Sequence, residues 1–190
     1  MSKVYIEDKL FDKINFSEEA LEKGEYENCR FVDCDLSNTN LSGISFADCE
    51  FNGCNLSMAK LMKTSIKDVQ FKNCKMLGMH FENCNEIIFT AYFDHCILNL
   101  STFYKMKLRK MQFRNSNIHE VDFTESDLTQ AIFDHCDLQG AIFAQTILEK
   151  ADFRTANYYS IDPERNQIKK AKFSMSGIRG LLDKYDIEVE

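Results

Sequence analysis

The 190-residue sequence predicts one all-β solenoid, a chain wound into stacked four-sided coils. Three observations carry that prediction. Every fifth residue is apolar over most of the chain, the residue two places before it is mostly small, and phenylalanine returns at intervals of twenty.

The five-residue period runs from Phe11, Phe16, Leu21, Tyr26 and Phe31 through Phe71, Met76 and Phe81. It resumes at Phe93, Leu98 and Phe103 and continues to Phe153 and Tyr158. No polar residue occupies any of these 29 positions, and of the 16 phenylalanines only Phe89 falls outside the register. Neither a helical period of 3.6 nor a strand period of two gives this pattern. Internal repetition of this kind identifies a solenoid, in which each coil buries its inner face against its neighbours.

The second inward position is small: Cys29, Cys34, Thr39, Cys49, Cys54 and Ala59 are examples. The three remaining places in each five are mostly polar. A chain that points one large and one small side chain inward in every five must wind around its own axis. The 20-residue spacing of phenylalanine favours four faces per coil. Followed across a two-residue slip, it gives one column: Phe11, Phe31, Phe51, Phe71, Phe93, Phe113, Phe133, Phe153 and Phe173. With coils about 4.8 Å apart, its eight steps make a rod of roughly 40 Å.

The slip, at residues 82–88, predicts a bulge or small protrusion. Residues 17–24 (Ser-Glu-Glu-Ala-Leu-Glu-Lys-Gly) fit either another stretch of coil or a short helix capped by Ser17 and stopped by Gly24. Pro163 ends the regular pattern, which returns once at Phe173. The expected division is a solenoid over residues 1–175 and a C-terminal helix and tail over 176–190. Ile178, Leu181, Leu182 and Tyr185 would share one helix face, and Ile187 and Val189 one strand face.

Catalytic and metal-binding patterns are weak. All eight cysteines (Cys29, Cys34, Cys49, Cys54, Cys74, Cys84, Cys96 and Cys136) occupy the small inward position and read as compact core fillers. Stacked on parallel coils, they are poorly aimed for disulfides. The two Asp-His-Cys triplets ending at Cys96 and Cys136 stand two coils apart, roughly 10 Å, too far to share a metal. No nucleophile elbow, Walker loop or dinucleotide fingerprint is present. No catalytic residue, cofactor or metal is therefore expected.

The runs Cys-Arg-Phe-Val-Asp-Cys-Asp-Leu-Ser-Asn (29–38), Ala-Ile-Phe-Asp-His-Cys-Asp-Leu-Gln-Gly (131–140) and Lys-Ala-Asp-Phe-Arg (150–154) resemble the pentapeptide-repeat family. The resemblance covers about residues 11–173 and implies a right-handed quadrilateral β-helix of about eight coils. The segment Asp162-Pro-Glu-Arg-Asn166 and the C-terminal tail resemble the ends of the quinolone-resistance and microcin-immunity proteins. In that subfamily the C-terminal segment builds a two-fold dimer, and an acidic rod mimics duplex DNA and protects DNA gyrase or topoisomerase IV.

Composition bounds the function further. The formal charge is −7, with a sequence pI near 5.2, which argues against a cationic binder of nucleic acid or membrane. No apolar run is long enough to span a bilayer, and the charged N-terminus lacks a signal peptide's apolar stretch. The cytoplasm is the expected compartment. Charge is banded along the chain: residues 1–59 sum to −7, 60–115 to +6, 116–164 to −8 and 165–190 to +2. Glu120, Asp122, Glu125, Asp127, Asp134, Asp137 and Asp152 form the candidate DNA-mimic surface. Ile178, Leu181, Leu182, Tyr185, Ile187 and Val189 form the candidate homodimer contact. The expected function is a non-catalytic rod that binds gyrase or topoisomerase IV; the alternative is a general interaction scaffold with another protein partner.

Overall fold

The computed structural model describes residues 4–87 and 89–188. Its strands are short and all pair in parallel: β1 (Val4–Glu7), β2 (Leu10–Asp12), β3 (Gly24–Glu27), β4 (Arg30–Val32), β5 (Ser45–Ala47), β6 (Glu50–Asn52), β7 (Ser65–Lys72), β8 (Phe89–Asp94), β9 (Gln112–Arg114) and β10 (Ile132–Asp134). One ladder runs β1-β3-β5-β7 and a second runs β2-β4-β6-β7-β8-β9-β10. Single parallel bridges on the other faces complete the four-sided β-helix. Partners lie 20 residues apart, as in Phe11 with Phe31 and Phe31 with Phe51.

The phenylalanine column forms the axis of the core. From Phe11 to Phe173, eight successive ring pairs stack with centroids 4.4 to 5.4 Å apart. A second column, Phe81, Phe103, Phe123 and Phe143, packs edge-on against the first at about 6 Å. Alternating stacked and edge-to-face rings satisfy the aromatic quadrupole in both directions.

Backbone turning comes from residues in the left-handed region, most of them not glycine. Asp33, Asn38, Asp48, Lys105, Glu120 and His135 all have φ between 50° and 60°. Each sits two places after an inward apolar residue. That conformation carries a steric cost, which ordered hydrogen bonding offsets: the Asp33 N–H donates to the Asn52 carbonyl and the Lys105 N–H to the Thr124 carbonyl of the next coil. This is how a chain with one proline and seven glycines bends at every corner.

Residues 17–24 continue the coil and contain no helix. Asn15, not Ser17, organises the turn, its Oδ1 accepting from both the backbone N–H and the hydroxyl of Ser17. Gly24 is there because the Val4 carbonyl passes directly over it and leaves no room for a Cβ.

At the slip, the register changes from Ile66 with Phe89 to Val69 with Ala91, a bulge in β7, and Phe71 pairs with Phe93 at a spacing of 22. Phe89, outside the sequence register, is nevertheless 8% exposed and packs against Phe81 and Phe103. The extra residues move the inward position, and the ring still fills the core. A second local correction concerns Tyr158, expected inward. It is 73% exposed, and Tyr159 takes the core position beneath Phe173. The corner falls at Tyr158, which is in the left-handed conformation, and the inward position moves on by one residue.

The helical stretch expected after residue 176 is present as two 3₁₀ turns, Ile178–Leu181 and Asp183–Tyr185, and not as an α-helix. The Gly180 carbonyl accepts the Ile161 N–H and so is diverted from the helix ladder. Asp186, at φ 50°, stops the second turn. Residues 186–188 form no strand, and Val189 lies outside the described residues.

Candidate protein-interaction surface

All eight thiols are buried and free. Cys34, Cys54, Cys74 and Cys96 stack on one face, each Sγ donating to the carbonyl of a column phenylalanine, Phe11, Phe31, Phe51 and Phe71 in turn, at 3.3 to 3.4 Å. Burial pushes the thiols of Cys49, Cys84 and Cys136 up to about 12, which keeps them protonated and poorly nucleophilic at neutral pH. The chemistry available to a partner is therefore that of the outer surface.

The seven carboxylates of the candidate acidic surface do not share one face. Asp122 bridges Thr102 and Ile142; Asp127 bridges Lys107 and Ile147; Asp137 bridges Asn117 and Asn157; Asp152 bridges Ile132 and Lys172. These are four separate ladders, one on each side of the solenoid. Glu120 and Glu125 occupy corners, and Asp134 ends β10. Together they make a belt around the rod, not a stripe along it.

Most of the belt also has local work. The carboxylates of Asp122, Asp127, Asp137 and Asp152 accept from the backbone N–H two residues on, at 2.8 to 3.2 Å, and so close the corners. Cations face four of the seven: Lys105 lies 3.3 Å from Glu125, Arg109 2.6 Å from Asp127, Arg114 3.4 Å from Asp134 and Arg154 2.7 Å from Asp152, while the His119 imidazole lies 3.1 Å from Asp137. Burial raises the Asp127 carboxyl, but hydrogen bonds from Thr129 and Arg109 outweigh it and hold it below the usual range. A hydrogen bond from Thr155 lowers Asp134, and one from Arg154 lowers Asp152. A cation set 18 to 20 residues earlier, one coil away, is the sequence signal that marks three of these pairs.

The C-terminal tail is clamped to the last coil. Lys184 Nζ reaches Asp162 at 2.8 Å and Glu164 at 2.7 Å, and the Tyr185 hydroxyl donates to Glu164 at 3.3 Å. Leu181 packs on the core and Leu182 is half-buried, while Ile178, Tyr185 and Ile187 remain exposed. An open cleft of about 520 Å³ lies beside them, between Tyr158, Tyr159, Ser174, Arg179 and Asp183. The described candidate dimer residues thus gather at one end of the rod, but only part of the set is presented outward.

The clamp predicts a pH dependence. Lys184 holds Asp162 and Glu164 below their ordinary values, so their contribution is present above roughly pH 4 and is lost as pH falls through the depressed values. Lys184 is raised, so its contribution is complete below its unfolded value near 10.4 and fades only above it. Amide protection of residues 178–188, corrected for intrinsic exchange, should fall below about pH 4 while the coils stay protected. Protection of the tail that persists through that acid range would contradict the clamp.

The family assignment follows from this architecture and one comparison. The sequence model described as "Pentapeptide repeat region" matches residues 44–123 and 86–173, more than half of the chain. The chain belongs to the pentapeptide-repeat family. Curated protein sequences give no match. Among solved structures, full-length QnrB1, a plasmid-mediated fluoroquinolone resistance protein, aligns over 97% of this chain and 100% of its own, with a TM-score of 0.57 and 16% identity. HetL, a pentapeptide-repeat protein involved in heterocyst differentiation regulation in Nostoc sp. strain PCC 7120, aligns over 92% of this chain and 86% of its own, with a TM-score of 0.37 and 13% identity. At 16% identity the likeness to QnrB1 concerns the fold. No helix among the described residues is long and apolar enough to cross a membrane.

Proposed function

We propose that this chain is a non-catalytic, cytoplasmic protein-binding rod that dimerises through its C-terminal end and engages DNA gyrase or topoisomerase IV. One observation carries the reading: a solenoid that aligns over the whole of QnrB1 ends in a clamped tail with exposed apolar side chains. An exposed apolar end of a solenoid needs a cover, and a two-fold contact provides one. The outward chemistry suits binding better than catalysis, because the thiols are sealed inside and the belt carboxylates are engaged in turns and ion pairs.

The test is competition. Purified gyrase or topoisomerase IV should bind the immobilised rod, and linear duplex DNA should displace it. Binding of neither enzyme would remove the topoisomerase reading. The second reading, a general interaction scaffold, is favoured by the belt geometry: carboxylates spread over four faces and matched by cations give no continuous negative stripe. Under that reading both enzymes are ignored, and the rod retains its dimeric state.

A further inference from the structure

The two-residue insertion interrupts the solenoid at one level, and unmatched positive charge gathers around it. Below the insertion, the Lys63 N–H donates to the Asn83 carbonyl and the Asn85 N–H to the Thr64 carbonyl, both at 2.8 Å. Above it, Glu86 and Phe89 share a cleft of about 80 Å³ with Tyr104, Lys105 and Lys107. Ile87 projects from its tip and is 87% exposed.

Four exposed lysines surround this point. Lys63 and Lys67 lie on the coil below, and Lys107 and Lys110 on the coil above. None makes an ion pair among the described residues, whereas neighbouring Lys105 and Arg109 are tied to Glu125 and Asp127. The acidic side chains within the patch are Asp68, Glu86 and Glu82, and Glu82 is already engaged by His80 at 2.8 Å. Like charges placed together repel and add nothing to the coil, so their grouping has no use inside the fold. The same holds for a large apolar side chain held out in water.

We propose that this patch docks an acidic segment of a partner protein, with Ile87 entering an apolar socket between the partner's carboxylates. Charge complementarity selects the anionic partner, and the apolar knob selects protein over nucleic acid, since a phosphate backbone offers Ile87 nothing to bury against. Net charge points the same way. A long polyanion would be repelled by the −7 and −8 bands on either side of the patch, while a short acidic segment stays within it. The inference rests on the reading of the chain as a protein-binding rod and gives that partner a chemistry.

The experiment uses fluorescence anisotropy of the full-length protein with a labelled glutamate-rich peptide carrying a central leucine, beside a labelled short duplex DNA. The peptide should bind the wild type at low ionic strength and bind less well as salt is raised. Joint replacement of Lys63, Lys67, Lys107 and Lys110 by glutamate should weaken binding at least about tenfold, and Ile87→Ala should weaken it about fivefold. All five side chains are exposed, so unchanged melting of both variants serves as the folding control. Absence of peptide binding, or binding that the lysine variant leaves unchanged, would overturn the proposal. Tighter binding of the duplex through the same lysines would overturn the choice of a protein partner. No topoisomerase enters the assay, so this inference and the topoisomerase reading fail separately.

Discussion

Replacing Phe113 by alanine should cost about 3–5 kcal/mol, the range for a fully buried aromatic ring. Phe113 is inaccessible to solvent and stands in the first aromatic column where the second packs against it. It stacks on Phe93 at 5.4 Å and Phe133 at 5.1 Å, and meets Phe103 and Phe123 edge-on, both at 6.0 Å. The void cannot close by collapse, because backbone pairing of Phe113 with Phe93 below and Phe133 above fixes the coil spacing. A solenoid's coils communicate only through nearest neighbours. The variant should therefore also broaden urea unfolding, as the coils before and after residue 113 begin to melt separately. A loss near 0.5 kcal/mol, typical of a surface site, would contradict the stacked core.

Removal of residues 178–190 should halve the particle mass and leave the coils folded. The solenoid buries its own core, and among the described residues the tail is tied to it by the Gly180 carbonyl accepting the Ile161 N–H, the packing of Leu181, the Lys184 clamp and the Tyr185 hydroxyl donating to Glu164. Truncation would uncover Phe173 and Tyr159 and soften the last coil, with the Phe11-to-Phe153 stack intact. Light scattering at micromolar concentration should give full-length protein twice the 22.1 kDa chain mass and truncated protein a single chain. Full-length protein at 22.1 kDa would exclude the dimer. A dimer would also bear on the proposed function: one rod of roughly 40 Å spans only about 12 base pairs, and two joined end to end would approach twice that.

The core is legible because a five-residue period admits few geometries, and the column can be followed from Phe11 to Phe173 in the sequence alone. What escaped were places where the count shifts. Phe89 fell out of register because two inserted residues move the inward position, and periodicity gives no rule for where the chain recovers it. Tyr158 and Tyr159 are adjacent, equally aromatic, and separated only by where the corner falls. In the tail, the spacing of Ile178, Leu181, Leu182 and Tyr185 signalled a helix, but nothing local announced that Gly180 would give its carbonyl to Ile161. The acidic surface was legible as composition and not as geometry. Asp127 and Asp152 read as outward charges, while their roles in closing corners depend on a backbone N–H two residues on and on Arg109 and Arg154.

DNA gyrase supercoiling with and without a fluoroquinolone tests the proposed topoisomerase-binding rod, a protein without catalysis of its own. Added protein should restore supercoiling in the presence of the drug, in proportion to rod and not to time, as expected of a stoichiometric binder. Supercoiling that stays equally drug-sensitive at every ratio of rod to gyrase would rule out the topoisomerase reading.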